Sequence, residues 1–331
     1  MSLSETSSRL TADASELEAV ERGEGWFKVQ HRQTGNICTI MDTFAEMFPI
    51  WAGRVLITAE SEKWALTAAK TATGFATSVV MAPAEAGLEA VAPPGETPDG
   101  RVGALIQVYH QTRTALRAQM MLRVGQCVMT CPTTAAFDAL PKARRRLHVG
   151  RSLRLFGDGF QRRDTVGGRR VWRIPVMEGE FTVEDSFGAV RAVAGGTILI
   201  MAGDQGAGLR AAEEAVGAIS QAGGGVILPF PGGVCRSGSK LGSRKYKLVA
   251  STNDPLCPRL RKLVPNSQVP DGVHSIYEIV INGLTLDAVK GAMARGIRAA
   301  VKVPGVVRIS AANFGGKLGP YRAPLREVLG L

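Results

Sequence analysis

The sequence has no run of about 18 consecutive apolar residues, the length a helix needs to cross a bilayer. A secretory leader would start basic and turn apolar, but the N-terminal residues include Glu5, Asp13, Glu16, Glu18 and Glu21. Both absences predict a soluble, cytoplasmic protein with no membrane partner. Cysteine is scarce and odd in number, five in 331 residues, which argues against a secreted disulfide framework. Cys127 and Cys131 stand three residues apart with no second cysteine or histidine pair nearby, so no metal site is expected. An acyl-thioester needs a base beside the thiol. The nearest histidines in sequence, His110 and His148, sit in no recognisable pairing, so packing is the plainer role for both thiols.

At 45% hydrophobic, the 331 residues exceed what a single core usually supports, and two lobes are expected. The net charge of +11 is concentrated between Lys142 and Arg173, where eleven Lys or Arg residues face only Asp158 and Asp164, a local +9. Such a strip suits nucleic acid, an acidic partner subunit or polyanionic substrates. The other reading is a solvated arm that contacts nothing.

Residues 1–36 are rich in Ser, Glu and Gly with few regularly spaced apolar residues, which predicts a flexible N-terminal extension. Beyond it the chain repeats. VLITA at 55–59, a helix over Ser61–Gly74 packing through Trp64, Leu66, Ala68, Ala69 and Ala72, and TSVVMAP at 77–83 match a later set. That set is TILIMA at 197–202, a helix over Gly208–Ala222 with Leu209, Ala212, Val216 and Ile219 inward, and GVILPFP at 225–231. Likewise LIQVY at 105–109, a helix over 112–124 and QCVMTC at 126–131 match YEIVI at 277–281, a helix over 284–300 and GVVRIS at 305–310. The expected class is α+β: two ferredoxin-like βαββαβ lobes made by internal duplication, with an inserted β-hairpin arm. The arm, 142–176, reads as hairpins joined at Gly157-Asp158-Gly159 and Gly167-Gly168 and is expected to grip another subunit. The lobes are then 37–176, taken as proximal and including the arm, and 177–331, taken as distal.

Glu278 lies in the run Ile276-Tyr277-Glu278-Ile279-Val280-Ile281, where every near neighbour is apolar or aromatic. Burial disfavours the charged form of a carboxyl, so Glu278 is a candidate proton donor near neutral pH. A solvent-facing Glu, or one neutralised by a Lys or Arg, would have the same sequence. Gly232, Gly233, Ser237, Gly238, Ser239 and Lys240 form a glycine and hydroxyl loop with a cation, a composition suited to an oxyanion, carboxylate or phosphate, although its spacing is not that of a P-loop. Pro132, Thr133 and Thr134 follow Cys131 and are candidates to line a cleft. Thr43 and Glu46 are spaced as a helix capping box.

From Asp42 to Leu331 the chain resembles the formylmethanofuran:tetrahydromethanopterin formyltransferase family. The strings that carry the resemblance are DTFAEMFPIWAGRVLITA, CPTTAAFD, FGDGF, PFPGG, SGSKLGSRKY, VASTND, YEIVI and FGGKLG, in the family's order. It implies transfer of a formyl group from formylmethanofuran to N5 of tetrahydromethanopterin through a ternary complex and a tetrahedral intermediate. No prosthetic group is implied; the two carriers act as substrates. The implied assembly is a homotetramer, a dimer of dimers, or membership of a formyltransferase/hydrolase complex. The family's proposed acid falls on Glu278, and its cleft strings add Asp42, Thr43, Phe44, Glu46, Cys131, Pro231, Ser251 and Thr252. Two departures stand out: the N-terminal extension, and basic charge where salt-adapted archaeal relatives are acidic. The competing readings are a non-catalytic scaffold subunit and an RNA-binding module. The second lacks its signature, since LIQVY and YEIVI hold one tyrosine each and no Gly-Phe-rich strand, so no nucleic-acid partner is expected.

Overall fold

The computed structural model describes residues 16–238 and 240–331. In chain order the elements begin with strands β1 Leu17–Gly23, β2 Trp26–His31, β3 Ile37–Met41 and β4 Phe44–Thr58, then helix α1 Glu62–Thr73. Next come β5 Glu85–Ala92, β6 Gly103–His110, α2 Arg113–Arg123, β7 Ala135–Asp138, β8 Arg145–Leu147 and α3 Val149–Leu153. β9 Arg162–Val166, β10 Arg169–Val176, β11 Gly179–Glu184 and β12 Phe187–Ala202 lead into α4 Gln205–Gln221. The remainder is β13 Val226–Ile227, β14 Lys240–Leu241, β15 Ala250–Ser251, β16 Ser275–Gly283, α5 Leu286–Val301, β17 Val306–Ser310, β18 Tyr321–Pro324 and α6 Leu325–Leu329. No helix among the described residues is long and apolar enough to cross a membrane.

The chain forms two compact units, one of residues up to Pro49 with Val193–Leu331 and the other Ile50–Ala192. Within the second, β4 pairs antiparallel with β6 and β7, and β5 with β6, giving the order β5-β6-β4-β7. Alternate residues Val55, Ile57, Ile106 and Val108 pack on Ala65, Ala68, Ala69 and Ala72 of α1 and on Leu116 and Met120 of α2. Thr112 starts α2 by accepting the Ala115 N–H on its hydroxyl. In the first unit β12 pairs antiparallel with β16 and β17, and β13 with β16, giving β13-β16-β12-β17. Ile198, Ile200, Ile279 and Ile281 face Ala211, Ala212, Ala215 and Ile219 of α4 and Val289, Ala292, Met293 and Ile297 of α5. Asp204 and Thr285 cap those helices through the Ala207 and Ala288 amides.

Each four-stranded set is extended by a three-stranded antiparallel meander. β7 takes β11 in parallel, followed by β10 and β9. β17 takes β3 in parallel, followed by β2 and β1. Residues 17–23 and 26–31, expected within a flexible extension, are therefore paired strands, with Phe27 and Val29 buried in the core; residues 1–15 of that expected extension lie outside the described residues. Polar residues on the exposed edge strand β1 hid a period-2 pattern that is apolar only in β2.

Other expectations change similarly. The strand after α1 is β5 at 85–92 rather than 77–83, because Ser78 and Pro83 fall in turns. QCVMTC is not a strand: residues 124–128 prolong α2 as a π-helical turn, and the strand is AAFD at 135–138. GVILPFP is reduced to the two residues of β13. In α4 the inward face is an alanine and glycine stripe, and Leu209 is 41% exposed. Small residues win that face because α5 approaches closely: a Cβ on Gly296 would lie 2.9 Å from Ile219 Cδ1. Of the arm, RSLRLF is helical, while β9 and β10 form the expected hairpin at Gly167-Gly168. The hairpin is not detached, since Trp172 and Ile174 are in the core and β10 continues the sheet. Much of the strip's charge is held internally, with Arg146 on Asp138 (2.7 Å), Arg169 on Glu184 (3.1 Å) and Arg173 on Asp164 (2.9 Å). Arg154 and Arg163 also lie over the Trp172 ring at 5.0 and 5.1 Å.

The seat of α5 on β12 depends on residues without side chains. A Cβ on Gly196 would meet Val289 Cγ1 at 2.3 Å, and Val289 is fully buried. Gly196→Ala is expected to lower stability by about 1–3 kcal/mol through overpacking, read from urea denaturation; a change under about 0.5 kcal/mol would show that the helix shifts freely.

Candidate functional site

Strand β16 has a helix-facing side and a helix-free side. Ile279 and Ile281 take the first, so period-2 alternation turns Glu278, Val280 and Asn282 to the second. Glu278 is 2% exposed and lies opposite Leu199 of β12, which in turn lies opposite Ser310 of β17. On its other flank, Cys235 forms a single bridge to Glu278, with amide-to-carbonyl distances of 2.8 and 2.9 Å. The row Cys235–Glu278–Leu199–Ser310 thus crosses the sheet with all four side chains on one face. Leu199 and Met201 of this face pack with Val269, Val273, Leu256, Ile276 and Ala312. The carboxyl expected to be desolvated is buried, beside an apolar patch.

The loop before Cys235 turns sharply. Pro231 opens a tight helical turn, and Gly232 and Gly233 adopt φ of 62° and 80°, a backbone that side chains rarely accept. The Gly233 amide donates to the Phe230 carbonyl at 2.8 Å, so it serves the turn itself. Beyond Cys235, whose Sγ is 3.5 Å from Ser237 Oγ, two segments close on each other. The Ser237 carbonyl accepts from the Asn253 amide (3.0 Å) and the Thr252 hydroxyl (3.3 Å). Lys240 pairs with Ser251, whose hydroxyl donates to the Gly242 carbonyl (2.7 Å). Gly238 admits no Cβ, which would sit 2.5 Å from that of Asn253. The structure therefore brings Ser237, Gly238, Lys240, Ser251 and Thr252 together; Ser239 lies outside the described residues. The Lys240 ammonium binds Asp254, which Arg244 also reaches at 3.4 Å. The Lys240 hydrogen bond, against the opposing effect of burial, holds the Asp254 carboxyl below its ordinary range.

At the start of the first unit, Thr43 and Glu46 form no capping box, since Phe44 opens a strand. Asp42 pairs with Arg326 (2.8 Å), the Thr43 hydroxyl accepts from Asn313 (2.8 Å), and Arg322 stacks on Phe44 at 5.2 Å. Glu46 is 1% exposed and accepts the amides of Phe314 (2.7 Å), Gly316 (3.0 Å), Gly319 (3.1 Å) and Leu318. Burial alone would raise its carboxyl, but the four amide donors together outweigh burial and hold it below the ordinary value.

Cys131, Pro132, Thr133 and Thr134 belong to the second unit. Burial, then the nearby Glu178 charge, pushes the Cys131 thiol up, and burial likewise pushes Cys127 up despite Arg123. For neither thiol does the balance favour the thiolate of an activated nucleophile. Thr133 has φ of 63°, rare for a β-branched residue, and is pinned on three sides: its amide donates to Glu178, its hydroxyl accepts from the Glu60 amide (3.1 Å), and its carbonyl accepts from Arg101. Thr134 donates to the Val128 and Cys131 carbonyls, at 2.5 and 3.0 Å.

Sequence reasoning missed Cys235, Asp254 and Asn282. Asn282 is fully buried and accepts the Gly195 amide at 3.2 Å. Its signal was available, as a second polar residue four positions after Glu278 on the same face of an apolar strand. Among the described residues, no group of three or more His, Cys, Asp or Glu side chains could hold a metal ion.

The fold is a mixed α+β one, with a buried carboxyl on a helix-free sheet face next to a glycine turn. Residues 34–176 match the family described as formylmethanofuran-tetrahydromethanopterin formyltransferase, and residues 179–328 match its companion described as FTR, proximal lobe. The chain belongs to this formyltransferase family and is an enzyme. The label proximal therefore falls on the C-terminal part, the reverse of the expected naming. Formyltransferases so named from Methanopyrus kandleri and Methanocaldococcus jannaschii are 55% and 53% identical over 293 residues, covering 87% of this chain and 97% of each relative. The solved formyltransferase from Methanosarcina barkeri superposes with a TM-score of 0.84 at 50% identity, over 87% of this chain and 97% of that one. A chain of the formyltransferase/hydrolase complex from Methylorubrum extorquens, solved with methylofuran, gives 0.84 at 43% identity, over 88% and 97%.

Because the Asp254 carboxyl is depressed in the folded state, its stabilising share is present above about pH 3.9 and lost as pH falls through the lower folded value. Asp254→Asn should therefore melt below the parent at pH 7, with the gap closing on acidification past that window. Melting curves at pH 7 and in steps below pH 4 check this; a gap that stays constant would show that the Lys240 pairing contributes nothing.

Proposed function

We propose that this chain transfers a formyl group between the formamide nitrogen of formylmethanofuran and N5 of tetrahydromethanopterin. The N5 lone pair attacks the formyl carbon, a C–N bond forms, and the carbonyl electrons move onto oxygen. Collapse of that tetrahedral oxyanion breaks the original C–N bond; N5 gives up its proton and the departing nitrogen takes one up, so the exchange is proton-neutral. The protein must hold two carriers in contact, direct donors at the oxyanion and supply the proton. The observation that carries this reading is Glu278, buried on the helix-free face between the Cys235 loop and Leu199 in a chain of the formyltransferase family. Its carboxyl is proposed as the proton or hydrogen-bond source.

Pro231, Gly232, Gly233, Ser237, Gly238, Ser239, Lys240, Ser251 and Thr252 are proposed to bind substrate, as are Asp42, Thr43 and Phe44 from the segment leading into β4, with Glu46 contributing through the loop it holds. Cys131, Pro132, Thr133 and Thr134 of the second unit are proposed separately as substrate-binding residues. The strained, triply held Thr133 supports that assignment, because such backbone persists only where its surroundings over-determine it. No prosthetic group enters the scheme, and the cytoplasm is its proposed setting. The β5-β6-β4-β7 and β13-β16-β12-β17 orders, each with two helices on one face, support two ferredoxin-like lobes. For assembly the proposal is a dimer of dimers, or a subunit of a formyltransferase/hydrolase complex like the Methylorubrum extorquens relative. Leu155, Phe156 and Phe160, exposed by 65%, 66% and 80% around the Gly157-Asp158-Gly159 turn, are apolar enough to serve such a contact.

Two measurements test the scheme. Glu278→Gln keeps size and a donor but loses the transferable proton. Steady-state formyl transfer should fall by about 10²–10⁴ with little change in KM, and thermal melting should exclude misfolding. Near-native turnover in a folded Glu278→Leu chain would overturn the role. Phe156→Ser with Phe160→Ser should lower the mass seen by sedimentation if the turn makes the oligomer contact; an unchanged mass would remove it.

A further inference from the structure

Glu46 carries the furthest step. Its carboxylate is almost wholly buried, yet four of its partners are consecutive-loop amides from a segment about 270 residues later in the chain, Phe314, Gly316, Leu318 and Gly319. The Glu46 amide also donates to the Ala312 carbonyl at 3.2 Å, and the Asn313 side chain binds the Thr43 hydroxyl. The strand that carries Glu46 therefore sets the whole course of 312–319. Gly315 and Gly316 have φ of 67° and 79°, and a Cβ on Gly319 would collide with the Met47 carbonyl at 2.3 Å. Only a backbone of this kind can turn its N–H groups inward onto one carboxylate.

The segment is next to the Glu278 row. It leaves β17 at Ser310, which stands opposite Leu199, and Leu199 stands opposite Glu278. Ala312 packs in the same apolar patch as Leu199 and Met201. A second tie runs through Gly195, whose amide donates to Asn282, on the Glu278 side of β16, and whose missing Cβ would lie 3.3 Å from the Glu46 carbonyl. Lys317, between the held amides of Gly316 and Leu318, is exposed. Arg322, opposite Glu46 in β18, lies beside Gly316.

We propose that Glu46 is a positioning residue for formyl transfer: it fixes Asn313–Gly319 as a rigid wall beside Glu278, and that wall receives the anionic part of one carrier through Lys317. This rests on the formyl-transfer reading. Glu46 touches neither carrier; it acts only through the shape of the loop. A glycine-rich segment pays little enthalpy and much entropy to be ordered, so a carboxylate that orders it beforehand lowers the cost of binding.

The test uses the full chain with Glu46→Gln, Glu46→Asp and Lys317→Ala, assayed with each carrier varied in turn, alongside amide hydrogen exchange without substrate. Glu46→Gln offers one acceptor oxygen in place of two. Exchange at Phe314, Gly316, Leu318 and Gly319 should accelerate at least about tenfold, and KM for one carrier should rise at least about tenfold, with kcat within about threefold. Lys317→Ala should raise KM for the same carrier without changing exchange, and Glu46→Asp should recover part of both losses. Unchanged exchange in Glu46→Gln, unchanged KM despite faster exchange, a loss confined to kcat, or unaltered KM in Lys317→Ala would each overturn the proposal. Should Glu46→Gln fail to fold, Glu46→Asp decides in its place: faster exchange across 314–319 with a raised KM for the Lys317-dependent carrier supports the proposal, and unchanged exchange or KM overturns it. Absence of formyl transfer by the parent chain would instead refute the reaction assignment, and the exchange data would still report whether Glu46 holds the loop.

Discussion

The site depends above all on the antiparallel pairing of β16 with β12. That pairing sets Glu278 opposite Leu199 and, through β17, in line with Ser310, while Ile279 and Ile281 turn to the helices. Shifting the register by one residue would send the carboxyl into the helix interface and an isoleucine to the site. The register is held by the apolar side, where the isoleucines of both strands fill the space against the alanine stripe of α4 and against α5. Gly195 and Gly196 then supply a bulge in β12, which draws the Glu46 strand close and lets α5 seat on the sheet. Packing on one face thus fixes chemistry on the other.

Two loops of the first unit are held by carboxylates of the fold. Asp254 gathers Lys240 and Arg244, and Glu46 gathers four amides. The segment around Asp254 is rich in Ser and Lys and the one held by Glu46 in Gly, so charge-assisted hydrogen bonds to an acid take the place of a core. Such ordering is most useful where a ligand must meet a preformed surface.

The strand pairing holds a correspondence that the strand and helix pattern alone does not reveal. Each βαββαβ run is preceded by three strands, β1 to β3 before β4 and β9 to β11 before β12, and each trio joins the last strand of the other run by a parallel pair. The basic arm and the N-terminal strands are therefore counterparts. Their sequences conceal it: β9 to β11 carry five arginines, whereas β1 to β3 carry a single one, Arg22.

Sequence by itself determined the α+β class, the places of α1, α4 and α5 to within a few residues, the β12, β16 and β17 strands, and Glu278 as a buried carboxyl. These rest on local signals, namely periodicity, caps such as Thr112 and Thr285, and an acid set among apolar neighbours. Only the tertiary structure decided that Glu46 holds a loop rather than capping a helix, that Lys240 is engaged by Asp254, and that Cys235 and Asn282 flank or share the face of Glu278. The reason is physical. A carboxylate's partners here are backbone amides and cations brought close by strand pairing between segments tens to hundreds of residues apart, and no local pattern encodes which distant donor will arrive.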